Sequence, residues 1–559
     1  MTFENFIPPR SKSVLEITGE IPDDFESTQE KFLEIQPACD YTVSENLGTL
    51  DKKFDAILFQ SAAIDNLKNS ELVELIKKAG EFLNPRGRLI FTLNNIGYAE
   101  NVMAILEGKP LKFKTTLSRV ELEEAIKAAG LNDFNPLNAG RRVPVARGVV
   151  EASKIDVSVF AYILSATPEE LPPKTSIQTA IGERIVCGAK RVFDPANFIS
   201  TEPNISTFFH DGNDAYRLLN SEAFPTRIFI NQRISFNSFT EGKIFFERMK
   251  ESGYLYVEEM DDNPILWREG YDRNGWINFI GVHAIQTSTE YLADVLKQFN
   301  PHIKIFANQL RKISPLRDFR EESKKNLPVR IFFGAINRDK DFQDILPILN
   351  DFAQKYGDRL EFKIIANKEL YEALQSKNKI LAGDPNFYNG QFIPYEKYEK
   401  TLRESDIALL PLLDNEFNRC KSDLKFIECG GCGAAVLASP VVYSKTIRDG
   451  ENGLIFKDKK DFAKKLKLLI DNKEKRYALA TAAYNYVKNN RLLSQHYEER
   501  LDWYRELLGR LDELNAEAQK RIDKIAPDFK DEKIPEPENN AIIEGKSGPN
   551  AEIIIPDTW

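Results

Sequence analysis

"KSDLKFIECGGCGAAVLAS" (421–439) joins a charged helix start, a glycine cluster and a short apolar strand. The Ser422 hydroxyl suits a helix cap on free backbone N–H groups, and Asp423 in the first turn complements the positive helix end. Spacings of four and three residues put Lys421, Lys425 and Glu428 near one helix face, so two ammonium groups and a carboxylate project into a common cleft. A nucleotide diphosphate needs that combination: cations and N–H groups for the phosphates, a carboxylate for the ribose hydroxyls. Gly430 and Gly431 let the backbone turn and approach a ligand closely, and "AAVLAS" suits a buried strand of a parallel sheet. A solvated basic helix end followed by a structural turn has the same local pattern.

Strand-like runs alternate with helical ones on either side, which makes the fold class α/β. "SVLEI", "FDAILF" and "RLIFTL" with their intervening helices form a first Rossmann-like domain over 1–150, with "NPRG" (84–87) a turn between helix and strand. The Pro- and Thr-rich "ATPEELPPKTSIQTAIG" makes 151–182 a linker. "TRIFINQRIS", "GYLYVEEMDD", "VHAIQTST" and "HIKIFAN" belong to a second domain, 183–310, and "VRIFFGAINRDKDF", "LEFKIIAN", "DIALLPLL", "GAAVLAS" and "GLIF" to a third, 311–486. Two Rossmann-like halves in succession are therefore predicted, followed by amphipathic helices over 487–525 and a polar, Pro-rich, disordered tail over 526–559.

The 559 residues exceed what one hydrophobic core supports. A net charge of -9 argues against nucleic acid as partner, and no apolar run is long enough for a signal peptide or a bilayer span, so a cytoplasmic protein is expected. Five scattered cysteines make no disulfide framework. Cys429 and Cys432 form a C-x-x-C without a second ligand pair, which reads as small residues in a tight turn and predicts no metal site.

The segment "SDLKFIECGGCGAAVLAS...TIRDGENGLIF" resembles the donor-binding part of retaining glycosyltransferases of the GT-B fold, the group 1 or family 4-like enzymes that include many bacterial polysaccharide enzymes. "GVHAIQTSTEYLADVLKQFNPHIKIFANQL" is similar to the stretch linking the two halves in that family, and "VRIFFGAINRDKDFQDILPILNDF" to its first C-terminal strand, phosphate loop and helix. The resemblance covers about residues 183–510. It implies metal-independent, retaining transfer of a hexose-type sugar from a UDP-, GDP- or TDP-sugar to a glycan, lipid-linked or protein acceptor in surface polysaccharide or glycoconjugate synthesis. A place in a peripheral membrane or glycan-assembly complex goes with that.

Glu428 matches the second glutamate of the family's E-x7-E pattern, implying ribose binding. Lys340, six residues after the loop glycine Gly334, matches the pyrophosphate-binding lysine. Lys340 and Lys425 are thus the expected catalytic cations. The first glutamate of the pattern falls on Cys420, and the usual arginine after the loop glycine on Ala335; Arg338, Lys421 or Lys425 would restore the charge, and Asn418 would face the sugar hydroxyls. On the acceptor side, "YVEEMDDNP" places Asp261 and Asp262 after a strand, "FFHDGND" offers His210 and Asp211, and His283 starts the next strand. A solvated acidic turn and a core histidine account for the same residues.

Residues 13–135 resemble a class I S-adenosylmethionine-dependent methyltransferase, but "TGEIPDDFE" replaces its Gly-rich loop with Gly19 alone. A shortened domain without the cofactor is expected, Glu16 and Asp55 being its remaining carboxylates. Two alternatives to a glycosyltransferase stay open: a non-catalytic scaffold of a glycan-assembly complex, and a bifunctional methyl- and glycosyl-transferase.

Overall fold

A computed structural model describes residues 4–19, 28–48, 50–94, 109, 114, 117, 119–142, 159–182, 187–210, 218, 224–319, 327–334, 340–383, 393 and 395–529, with backbone alone at 92–94, 119, 133–142 and 159–164. Three six-stranded sheets follow one another along the chain.

The first sheet contains β1 (Ser13–Ile17), β2 (Asp40–Ser44), β3 (Phe54–Phe59), β4 (Leu83–Asn94), β5 (Asn132–Arg142) and β6 (Val159–Thr167), in the order β2-β1-β3-β4-β6-β5. β1 to β4 are parallel, and β6 runs antiparallel between β4 and β5. The apolar runs of β1 and β3 are buried nearly end to end, as strands covered on both faces must be. "NPRG" is not a turn before a strand: it lies inside β4, where the register against β3 slips.

The second sheet contains β7 (Thr175–Ile181), β8 (Ile205–His210), β9 (Thr226–Gln232), β10 (Tyr254–Glu259), β11 (Ala284–Thr287) and β12 (Ile303–Ile305), all parallel in the order β12-β11-β10-β9-β7-β8. The third contains β13 (Val329–Gly334), β14 (Leu360–Ile365), β15 (Lys379–Ala382), β16 (Ile407–Leu410), β17 (Ala435–Ala438) and β18 (Leu454–Ile455), all parallel in the order β15-β14-β13-β16-β17-β18. The second and third are doubly wound sheets. Each reverses its strand order once, between β7 and β9 and between β13 and β16, and ligand crevices of such sheets open at the carboxyl ends of the strands there.

The segment 151–182 is not a linker. It supplies β6 to the first sheet and β7 to the second, leaving only 168–174 as connection. Its Thr and Pro content misled because the prolines sit in those few residues while the threonines sit in strands. The second unit therefore starts with β7 rather than at residue 183. The C-terminal helices also start earlier than 487: Lys473–Asn490 packs against the third unit, and only Tyr497–Leu508 and Leu511–Ile525 turn back to cover the second sheet. The tail read as disordered begins with a described turn, Ala526–Asp528, and Phe529 stacks on Phe239; its remainder, 530–559, lies outside the described residues.

The first unit is fastened to the others by buried charge. Glu202 accepts from Arg10 (2.9 Å) and Arg88 (3.2 Å), both from the first unit, and from Tyr497 of the C-terminal helices (2.7 Å). Burial opposes the Glu202 charge, yet the two guanidiniums hold its pKa below the usual carboxylate value. Ile35 and Glu34 add backbone bonds to Ser494 and Ile313. Glu202→Ala leaves the buried Arg88 and the half-buried Arg10 guanidiniums without their shared partner. It should destabilise the chain by about 3–5 kcal/mol, read as a lower urea midpoint, and expose the 168–174 connection to limited proteolysis.

Candidate functional site

Helix Leu424–Gly431 follows β16 at the switch point of the third sheet. Beside it lies a crevice lined by Phe333 and Gly334 from β13, Leu409, Leu410 and Pro411 at the end of β16, Lys425, and Tyr443. Gly334 is needed at its floor, since a Cβ there would stand 2.6 Å from the Phe332 ring. Of the residues expected on the donor side, Gly334 and Lys425 line this crevice.

Lys425 and Glu428 sit three residues apart on the helix and pair at 2.9 Å. Tyr398, from helix Tyr395–Arg403, donates to Glu428 Oε2 at 2.8 Å and accepts from Lys425 Nζ at 2.7 Å. Burial and the adjacent carboxylate push the Tyr398 phenol well above the usual tyrosine value, so it remains a donor. All three bonds converge on Tyr398 and Oε2, and Oε1 of Glu428 makes none with the described residues. Sequence spacing had no means of finding Tyr398, which joins from a separate helix.

The rest of the predicted donor set is placed differently. The helix starts at Leu424, not Ser422, so Lys421 lies before it and off its face. Lys421 stands over the Phe417 ring at 4.1 Å and 4.0 Å from Asp262 of the second unit. Ser422 accepts from Asn308 at 2.8 Å, with only a long 3.4 Å contact from Leu424 N. Asp423 is spent on Arg491, at 2.5 and 2.8 Å, and on Thr446. Asn418 does not face a sugar: its amide is tied to Asp341 and the Leu413 carbonyl. Gly430 and Gly431 are inside the helix, where a Cβ would meet Ala483 at 3.1 Å and Leu310 at 2.7 Å. They permit close helix packing rather than ligand approach, and the left-handed turn comes at Gly433 (φ +76). Lys340 is exposed beside Asp341, which holds the loops at Leu413 and Asn418. Arg338 lies outside the described residues.

Cys420, at the position of the family's first glutamate, is buried in the core of the second unit. Burial pushes its thiol up to about 12, and its carbonyl accepts from Thr289 at 3.1 Å. The sugar-side position is thus an interdomain packing contact. Cys429 and Cys432 are free thiols, buried and half-buried respectively.

On the acceptor side the predicted residues are dispersed. Asp261 and Asp262 are no solvated turn: both are paired with Arg233, at 2.7 and 3.4 Å. Glu259, their strand neighbour, is buried between Arg191 (2.8 Å) and Arg500 (3.3 Å). His210 ends the edge strand β8 within 3.3 Å of Gln178, and Asp211 lies outside the described residues. His283 precedes β11, at the end of the sheet away from the crevice, so it is no acceptor residue. Its Nδ1 accepts from Tyr256 N (2.8 Å), its Nε2 contacts Asn515 (3.0 Å), and burial pushes its pKa down to about 4. Among the described residues no group of three or more His, Cys, Asp or Glu side chains is arranged to hold a metal ion, and no helix is long and apolar enough to cross a membrane.

In the first unit, Glu16 is taken up by Tyr41 and Gln60. Asp55 accepts from Lys12 N and Ser13 N, at the opposite end of the strands from Gly19. A Cβ at Gly19 would stand 2.9 Å from the backbone of Ala62 and Ala63, so the turn after β1 already rests on its neighbour.

Residues 349–504 match the family model described as "Glycosyl transferase-like". The match takes in β14 to β18 of the third unit, Lys425 and Glu428 included, and begins after β13. Solved structures similar to the chain include sucrose-phosphate synthase from Thermosynechococcus elongatus (10% identity, 60% of this chain and 99% of that one, TM-score 0.42) and Anabaena HepE in complex with UDP and glucose (10%, 60% and 99%, 0.40). A glycosyltransferase from Rickettsia africae is similar at 14% identity, 60% and 99% coverage and a TM-score of 0.39. Among curated proteins there is no match.

A neutral buried His283 sets a pH dependence. Its folded pKa lies below the unfolded value, so its contribution is complete above about pH 6.5 and is lost as the pH falls toward about 4. The loss should reach about 3 kcal/mol, and denaturant titrations across that window should show a shallower slope for His283→Gln than for the wild type.

Proposed function

We propose that the chain is a retaining, metal-independent glycosyltransferase that takes a nucleotide sugar and passes the sugar to a glycan, lipid-linked or protein acceptor. The observation that carries this reading is the switch-point crevice of the third unit, lined by Gly334 and Lys425, with Lys425 and its partner Glu428 inside the matched segment 349–504. Glu428 Oε1 would accept from ribose hydroxyls. Exposed Lys340, on the loop after β13, would stabilise charge developing on the departing diphosphate, as preorganised cations do in acyl and phosphoryl chemistry.

Burial of Cys420 favours a second reading, a non-transferring nucleotide-sugar binder within a glycan-assembly complex. A packed thiol in place of a carboxylate leaves the sugar without that hydrogen-bond acceptor. On either reading the first unit is a methyltransferase-like brace that binds no S-adenosylmethionine, which disfavours a bifunctional enzyme.

Thermal melts of the full chain with UDP, GDP, TDP and S-adenosylmethionine should show stabilisation by one nucleoside diphosphate and none by the methyl donor. Lys340→Ala and Glu428→Ala should each cut release of that nucleotide from its sugar conjugate by at least about tenfold. Unchanged rates would end the catalytic assignment, and stabilisation without turnover in the wild type would select the binder.

A further inference from the structure

The second sheet has its own switch point, and the chain leaving it carries a lysine that sequence reasoning did not single out. After β7 the backbone turns at Gly182, whose N–H donates to the Gln232 carbonyl of β9, and goes on to the helix Ala189–Phe193. That helix is a π-helical turn, a form uncommon in proteins and frequent at functional sites. Lys190 lies in it with a side chain only 9% exposed.

An ammonium has three N–H donors. Among the described residues Lys190 uses one, on Asp194 Oδ2 at a long 3.3 Å, while the Tyr395 ring lies 5.1 Å from its nitrogen. Asp194 is itself shared with Arg311 at 3.8 Å. Burial works against the Lys190 charge, yet Tyr395, Asp194 and Glu428 outweigh it and hold its pKa above the usual lysine value. Lys190 therefore stays charged, with donors to spare, within the field of Glu428.

Other cations at the site are committed or remote. Lys425 is taken by Tyr398 and Glu428, Lys421 leans toward Asp262, and Lys340 is exposed on its loop. Helix Tyr395–Arg403 carries both Tyr395, facing Lys190, and Tyr398, facing Glu428. A nucleoside diphosphate matches the two unsatisfied features together, its phosphate oxygens for the spare N–H groups of Lys190 and its ribose hydroxyls for Glu428 Oε1.

We propose that Lys190 is a phosphate-binding residue of the donor site, so that the second unit supplies a cation to the diphosphate held at the crevice of the third. This rests on the donor reading above and adds that the third unit alone is an incomplete site.

The test uses the full chain as wild type, Lys190→Met, Lys190→Arg, and Lys190→Met with Asp194→Asn, the last removing the carboxylate that Lys190→Met leaves unpaired. Calorimetric titrations with UDP, GDP and TDP and with uridine, guanosine and thymidine are compared. The expected result is a loss of about tenfold or more for the diphosphate in both Met variants, no change for its nucleoside, and recovery in Lys190→Arg. Diphosphate affinity within about twofold of wild type in both Met variants overturns the assignment, as does an equal loss for diphosphate and nucleoside, which marks a structural role. A wild type that binds none of the three diphosphates overturns the donor reading and this inference with it, whereas intact binding in the variants overturns only the role of Lys190.

Discussion

One buried guanidinium sets the geometry of the cleft. Arg191 donates to Glu259 (2.8 Å), to the carbonyls of Thr287 (3.0 Å) and Phe306 (2.5 Å), and to Asn308 Oδ1 (3.0 Å). It thereby ties the turn after β7 to the ends of β10 and β11 and to the strand-to-strand crossing at 306–310. A charge so deeply placed persists only where its donors are matched, and removing it would strand Glu259 opposite Arg500. Lys190 precedes Arg191 in the same turn, so its placement is set by a neighbour that is wholly internal.

Asn308 extends this constraint into the third unit. Its side chain accepts from Arg191 and donates to Ser422, and its carbonyl accepts from Arg491, which also holds Asp423. The start of the helix bearing Lys425 and Glu428 is thus fixed through a chain of bonds to the second sheet. Ser422 and Asp423, read in the sequence as the cap and first turn of a donor-binding helix, are the anchors of this arrangement. Polar groups at a helix start serve equally well for binding and for fastening, and only their partners distinguish the two roles.

Much of the architecture was legible because parallel strands covered on both faces read as unbroken apolar runs, as in "FDAILF", "TRIFI" and "VRIFF". The pairing of Lys425 with Glu428 was legible for a similar reason, since helical spacing fixes which residues share a face. Tyr398 and Lys190 were not, because contacts between elements distant in the chain have no signature in local spacing. Gly430 and Gly431 misled in the same way: small residues for a ligand and small residues for a crossing helix look identical until Ala483 and Leu310 are in place. The dispersal of His283 and His210 followed from sheet ends that an unaligned sequence does not assign.

The return of Tyr497–Leu508 and Leu511–Ile525 to the second unit has a consequence for biosynthesis. Leu493, Tyr497, Leu501, Tyr504, Leu507 and Leu514 share one core with Ile177, Ile228, Leu255 and Ala284. Synthesis proceeds from the N-terminus, so this sheet emerges complete from the ribosome while the helices that cover one of its faces are still some 200 residues from being made. Until then an apolar surface of a parallel sheet remains open to water and to other chains. The middle of this protein is the last part to be finished, and nascent chains truncated before the final helices are the form in which it is most in need of a chaperone.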